Sequence, residues 1–144
     1  MLVSQILKTK QVNDVVTVPP TMTVSDAARI LSEKRIGTVI VSADGTKADG
    51  ILSERDIVAE IGARGAGCLK YTVDQLMTSK LVTCSPTDKA DQVLKQMTEG
   101  RFRHMPVLDN GNLQGLISLG DVVKARLMEL AMEKDALEGM IMGH

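Results

Sequence analysis

The chain repeats itself, and this constrains its fold more than any feature of its composition. Residues 16–41, VTVPPTMTVSDAARILSEKRIGTVIV, align with residues 82–107, VTCSPTDKADQVLKQMTEGRFRHMPV. Thr17 meets Thr83, Pro20 meets Pro86 and Arg35 meets Arg101, each at an offset of 66. Past the next turn the offset is 65, so GILSERD (50–56) meets GLISLGD (115–121). One residue has been lost in a loop, where such changes are tolerated. A repeat of this kind resets the fold question: two copies of one supersecondary unit are to be expected.

Each copy shows the same order of signals. A short strand comes first, Val16–Val18 and then Leu81–Cys84, followed by a proline-marked turn. An amphipathic helix follows. Val24, Ala27, Ala28 and Leu31 sit at i, i+3, i+4 and i+7, as do Ala90, Val93, Leu94 and Met97. Strands are then expected at Thr38–Val41 and Met105–Leu108, turns at ADG (43–45) and DNGN (109–112), and second strands around Gly50–Leu52 and Leu113–Ile117. Each unit therefore reads β-α-β-β-α, an α/β (α+β) fold. With 144 residues, 44% of them hydrophobic, neither half is comfortable alone, so the two should pack sheet against sheet. The expected division is 1–72 for the first repeat with its lead-in, 73–126 for the second and 127–144 for a helical tail. The segment 62–72, GARGAGCLKYT, reads as a glycine-rich loop. Residues 119–142 read as one long helix in which Val123, Leu127, Leu130, Leu137 and Ile141 form a heptad-like seam interrupted by Lys134. That helix packs on its own domain or across a dimer.

Composition excludes several classes. Net charge is −1, so no basic excess points to nucleic acid or anionic lipid. Tyr71 and Phe102 are the only aromatic residues, too few for base-stacking platforms. No segment approaches the ~20 apolar residues that span a bilayer, and the first residues lack a signal-peptide core, so a cytoplasmic location is expected. Cys68 and Cys84 are isolated, and His104 and His144 lie far apart. Neither a disulfide framework nor a metal site is expected, and no nucleophile–base motif suggests an enzyme.

The recurring Ser-x-x-Asp has two readings. Ser53 with Asp56 and Ser118 with Asp121 could simply cap two helices, the serine satisfying free N–H groups and the aspartate facing the positive helix end. The same residues could instead meet a ligand.

The paired GILSERD and GLISLGD, the stretch RHMPVLDNGNLQG (103–115) and the two strand–proline–helix openings resemble a tandem pair of cystathionine-β-synthase (CBS) domains. The resemblance covers roughly residues 12–126 and is strongest to small stand-alone bacterial CBS-pair proteins. It implies a module with pseudo-two-fold symmetry and two clefts that hold adenosine derivatives: AMP, ADP, ATP, NAD(H) or S-adenosylmethionine. It also implies that the motif aspartates, Asp56 and Asp121, bind the ribose hydroxyls. Ser53, Ser118 and the residues opening the second strand would face ribose and phosphate. An ionised carboxylate can accept from both hydroxyls of a cis-diol, which suits that role. No resident cofactor is implied.

The copies differ. Arg103 and His104 align with Gly37 and Thr38. Arg103 can hold a phosphate bidentately and His104 can add a donor, which favours the cleft of Asp121 for phosphorylated ligands. In the other copy Arg55 precedes Asp56 and could supply a cation. Phe102 is either core or a wall for adenine. The expected function is a non-catalytic adenine-nucleotide sensor that modulates an unidentified protein partner. The alternative is a structural or oligomerisation module with degenerate clefts. A homodimer, with helices of both repeats packed across a two-fold axis, is expected in either case.

Overall fold

The protein is described here from a computed structural model, covering residues 1–10 and 15–142; His144 lies outside the described residues. Helix α1 (Val3–Thr9) comes first. The first copy follows as β1 (Thr17–Val18), α2 (Val24–Lys34), β2 (Thr38–Val41), β3 (Gly50–Ser53) and α3 (Glu54–Arg64). A 3-10 helix (Ala66–Lys70) and the short α4 (Val73–Leu76) lead to the second copy, with α5 (Ala90–Gly100), β4 (His104–Asp109), β5 (Asn112–Ser118) and α6 (Leu119–Met142).

Local chemistry explains most of these elements. Thr23 caps α2, its Oγ1 accepting from Asp26 N–H at 3.1 Å. The apolar stripes are the buried faces: Val24, Ala27 and Leu31 on α2, and Ala90, Val93 and Met97 on α5. Both helices stop the same way. Arg35 and Arg101 take left-handed conformations, φ 54° and 56°, and the next N–H groups return to Leu31 and Met97 carbonyls. Asn110 and Gly111, at φ 51° and 80°, supply the positive φ pair that a two-residue turn between β4 and β5 requires. The glycine-rich segment is not an open loop. Helix α3 runs on to Arg64, Gly65 ends it at φ 84°, and the 3-10 helix occupies Ala66–Lys70.

One expected strand is missing. In the first copy β1 lies parallel to β2, with Val18 opposite Val41, and β2 lies antiparallel to β3, with Thr38 opposite Ser53. In the second copy Leu81–Cys84 shrinks to a single parallel bridge between Cys84 and Val107. Ile40 N–H donates to Val16 O at 3.0 Å in the first copy. The residue equivalent to Ile40 is Pro106, which has no N–H to give, so that rung cannot form.

The described residues form two compact units, 15–82 with 108–114 and 1–10 with 83–107 and 115–142. The first buries Val18, Val24, Val39, Val41, Leu52 and Val73. The second buries Val3, Ile6, Val93, Met97, Met105, Val107, Ile117 and Val122, with Phe102 packed partly against them. The division differs from the expected 1–72 and 73–126: α1 joins the second copy's core, and α4 joins the first copy's. The reason lies at the helix starts. Ala90 N–H bonds Met1 O and Val3 N–H bonds Asp88 O, both at 2.9 Å. Val24 N–H bonds Tyr71 O and Val73 N–H bonds Met22 O, both at 2.8 Å. VSQIL (3–7) and VDQLM (73–77) are thus the same structural piece at an offset of 70. Helix α6 passes residue 126 without a break, so the tail is part of the second copy's last helix.

Candidate functional site: the two Ser-x-x-Asp helix starts

The second copy's site begins with a glycine. A Cβ on Gly115 would stand 2.8 Å from Leu7 Cδ2, so glycine lets the Leu7 side chain of α1 rest on β5 without shifting. That approach brings the end of α1 to the motif. Lys10 Nζ donates to Leu116 O at 2.8 Å and pairs with Asp121 Oδ2 at 2.9 Å, with both side chains about three-quarters buried. The same Oδ2 accepts from Ser118 N–H at 2.9 Å, and Ser118 Oγ accepts from Asp121 N–H at 3.1 Å. The serine and aspartate therefore cap α6 reciprocally. The Ser118 N–H and the Lys10 ammonium thus converge on Oδ2. Burial pushes the Asp121 carboxyl up, but the Ser118 N–H and the Lys10 ammonium outweigh it and hold the acid below its ordinary range.

Asp121 and Lys10 line a cavity of about 290 Å³, together with Met1, Ile6, Thr9, Lys124, Ala125 and Met128. The cavity is two lysines against one carboxylate, with a thioether and aliphatic floor. Leu119 N–H bonds Arg103 O at 2.7 Å, so the strand opening that carries Arg103 and His104 is tied to the start of α6. Arg103 is exposed and His104 half-buried. Ser118, Asp121, Arg103 and His104 thus all belong to one unit.

The first copy builds the same frame with different charges. Glu54 N–H bonds Gly37 O at 2.9 Å, the counterpart of the Leu119–Arg103 bond. A Cβ on Gly50 would stand 2.3 Å from Met77 Sδ, the counterpart of Gly115 and Leu7. Asp56 Oδ2 accepts from both Ser53 N–H at 2.9 Å and Ser53 Oγ–H at 3.0 Å, and Ser53 Oγ accepts from Asp56 N–H at 3.2 Å. Thr38 is buried opposite Ser53, Arg55 is exposed, and the Glu54 carboxyl lies beside Gly37, 3.5 Å from where a Cβ would be. Lys80 holds the place of Lys10 at the offset of 70, but among the described residues no ion pair joins it to Asp56. The acidic Glu54 replaces Leu119, and Ala59 replaces Lys124. The second copy is therefore the more hospitable to an anion.

Lys10 and Lys124 were not among the residues singled out from the motifs. Lys124 stands one helical turn beyond Asp121, a spacing the sequence displays. Lys10 was legible only through the VSQIL–VDQLM repeat. Both cysteines are buried and free, and burial with Asp88 nearby pushes the Cys84 thiol up to about 12. Among the described residues no group of three or more His, Cys, Asp or Glu could hold a metal, and no helix is long and apolar enough to cross a membrane.

Comparison with known proteins agrees with this geometry. The CBS domain pattern matches residues 3–63 and again 73–128, starting each time at the lead-in valine. The CBS-domain containing protein ATU1752 from Agrobacterium tumefaciens is 44% identical, with a TM-score of 0.81 over 88% of this chain and 99% of that one. The mitochondrial CBS domain-containing protein CBSX3 of Arabidopsis thaliana is 33% identical over 84% of this chain, which spans 61% of that protein's length. The CBS domain pair of protein MJ0100, solved in complex with 5'-methylthioadenosine and S-adenosyl-L-methionine, shares the fold at 24% identity and a TM-score of 0.75, over 90% of this chain and 98% of that one. Two matched segments, two equivalent helix starts and these relatives together establish that the chain belongs to the CBS domain family, as a tandem pair.

Proposed function

We propose that this chain is a non-catalytic sensor of adenine nucleotides, AMP, ADP, ATP or NAD(H), acting in the cytoplasm as a homodimer on a protein partner. The observation that carries the reading is the cavity of the second copy. A charged carboxylate, about three-quarters buried, stands there beside Lys10 and Lys124, with Oδ1 outside its capping bonds. A carboxylate for a ribose diol and cations for phosphate are what a nucleotide needs, and about 290 Å³ is close to the lower bound of small-molecule sites. Arg103 and His104 add a cation and a further polar ring at the neighbouring strand opening. In the first copy Ser53, Asp56, Thr38, Gly37 and Arg55 form a second, less cationic candidate. The complex of MJ0100 with 5'-methylthioadenosine and S-adenosyl-L-methionine supports the adenosine part of such a ligand. Binding would act by favouring one arrangement of the module over another, to the extent of its differential affinity.

A second reading is a structural module whose Ser-x-x-Asp pairs serve as caps alone. The Asp56 carboxylate favours it, since Ser53 donates twice to one of its oxygens. Calorimetric titration of the purified chain with AMP, ATP, NADH and adenosine, repeated on Asp121→Ala, separates the two. A ribose contact predicts a loss of about 1.5–3 kcal/mol of nucleotide affinity in the variant. A cap predicts lower stability, by about 0.5–2 kcal/mol, with unchanged affinity. Absence of nucleotide binding to the unmutated chain, or affinity indifferent to Asp121→Ala at every site, refutes the sensor reading.

A further inference from the structure

Helix α6 is 24 residues long, yet only Val122 and Ala125 on it are buried. Val123, Leu127, Leu130, Leu137 and Ile141 are 39, 62, 49, 58 and 77% exposed. Their spacing, with Lys134 in the remaining seam position, is a heptad pattern: Leu127, Lys134 and Ile141 at a, and Val123, Leu130 and Leu137 at d. We infer that this seam pairs with the same seam of a second copy, the two α6 helices running antiparallel.

The charges on the helix choose the occupant and its direction. In a parallel pair Lys134 would face itself at an a layer, and Glu133 at g would face Glu138 at e of the other copy, on both sides. Like charges at those positions oppose association. In an antiparallel pair Lys134 lies against Leu130 of the second copy, Leu127 against its Leu137 and Val123 against its Ile141. Each layer occurs twice by symmetry, and Lys124, at the rim of the cavity, stands at e on the flank that Glu138 of the second copy occupies, also twice, so unlike charges face each other there while Lys10 stays inside the cavity. The two Glu133 residues then meet across the two-fold axis at g, one like pair against the two of the parallel arrangement, and the Lys134 ammoniums beside them offset it while each Lys134 stem rests on Leu130 of the other copy, as suits a snorkelling lysine. In the isolated chain its pairing is a long 3.9 Å contact to Glu138, with side chains 75 and 60% exposed. The overlap runs from Val123 to Ile141, about 27 Å of helix. A slip by one heptad in either direction loses a third of the layers, so the register is specified as well as the direction.

The inference rests on the homodimer reading and deepens it, and the experiment keeps the two apart. Sedimentation at micromolar concentration is measured for the unmutated chain and for Leu137→Glu, a 58% exposed position, with circular dichroism to check that the variant keeps the fold. Twice the chain mass for the first and the single chain mass for the second are expected. In parallel, chains carrying Leu127→Cys and Leu137→Cys are oxidised separately and as a mixture; Cys68 and Cys84 are buried and do not compete. The mixture should cross-link several-fold more than either chain alone. A monomeric unmutated chain overturns both the homodimer and this inference. A dimer that survives Leu137→Glu, or Leu127→Cys alone cross-linking as well as the mixture, overturns the antiparallel α6 pairing and leaves the homodimer standing.

Discussion

Replacing Lys10 by methionine keeps an unbranched stem of nearly the same length and removes its charge. Two interactions disappear, the 2.9 Å ion pair with Asp121 and the 2.8 Å bond to Leu116 O. The partners are about a quarter exposed, so the ion pair is worth at most about 1 kcal/mol. The bond from an ammonium to a half-buried carbonyl adds about 1 kcal/mol, less the cost of desolvating the lysine that the variant avoids. A net loss of about 1–2 kcal/mol follows, which for a chain of this size lowers Tm by roughly 3–8 °C. The loss should depend on pH. Lys10 helps hold the Asp121 carboxyl below its ordinary range, so the ionised pair contributes stability above the unfolded carboxylate pKa of ~3.9. That contribution is lost as pH falls from ~3.9 through the folded value. Melting curves of the two proteins should therefore be furthest apart near neutrality and draw together in acid, leaving only the Leu116 share. The ligand response should split as well. Without Lys10 the Asp121 carboxylate is freer for a diol, but one phosphate cation is gone. AMP affinity should fall about tenfold, roughly 1.4 kcal/mol, while adenosine affinity holds or rises. Equal Tm at neutral pH, or a gap that does not narrow in acid, would refute the structural argument. Equal losses for AMP and adenosine would refute the assignment of Lys10 to phosphate.

Arg103→Ala should weaken AMP binding and leave adenosine nearly unchanged in calorimetry; an equal loss for both would mean that Arg103 meets something other than phosphate. Gly115→Ala should cost about 1–3 kcal/mol in denaturant unfolding because its methyl meets Leu7 at 2.8 Å, and Leu7→Ala in the same chain should recover part of that cost. Simple additivity of the two changes would show that the close approach is not what Gly115 permits. The Cys84 thiol, pushed up to about 12, should resist thiol reagents at pH 8 in the folded protein and react once denaturant unfolds it; fast labelling of the native chain at Cys84 would contradict its buried environment.

The primary structure by itself determined the elements that local rules govern. Apolar residues at i, i+3, i+4 and i+7 made α2 and α5 legible, and Asn110-Gly111 marked the turn between β4 and β5, because periodicity and turn chemistry act over a few residues. The repeat made the equivalence of Asp56 and Asp121 legible, and with it the family. Ser-x-x-Asp left capping and ligand contact open, because both need the same serine and carboxylate at a helix start. Tertiary structure alone decided which core received α1, which rung Pro106 removed and which cation reached Asp121. The Lys10–Leu116 bond joins residues 106 positions apart. No periodic pattern can register a contact at that separation. The seat of α1 that makes it possible is set by the backbone partners that the open start of α5 offers to Met1 and Val3, with Gly115 leaving room for Leu7. Local pattern thus wrote the parts of each half, while packing across long loops chose the lead-in that completes each one and the charges that meet the motif aspartates.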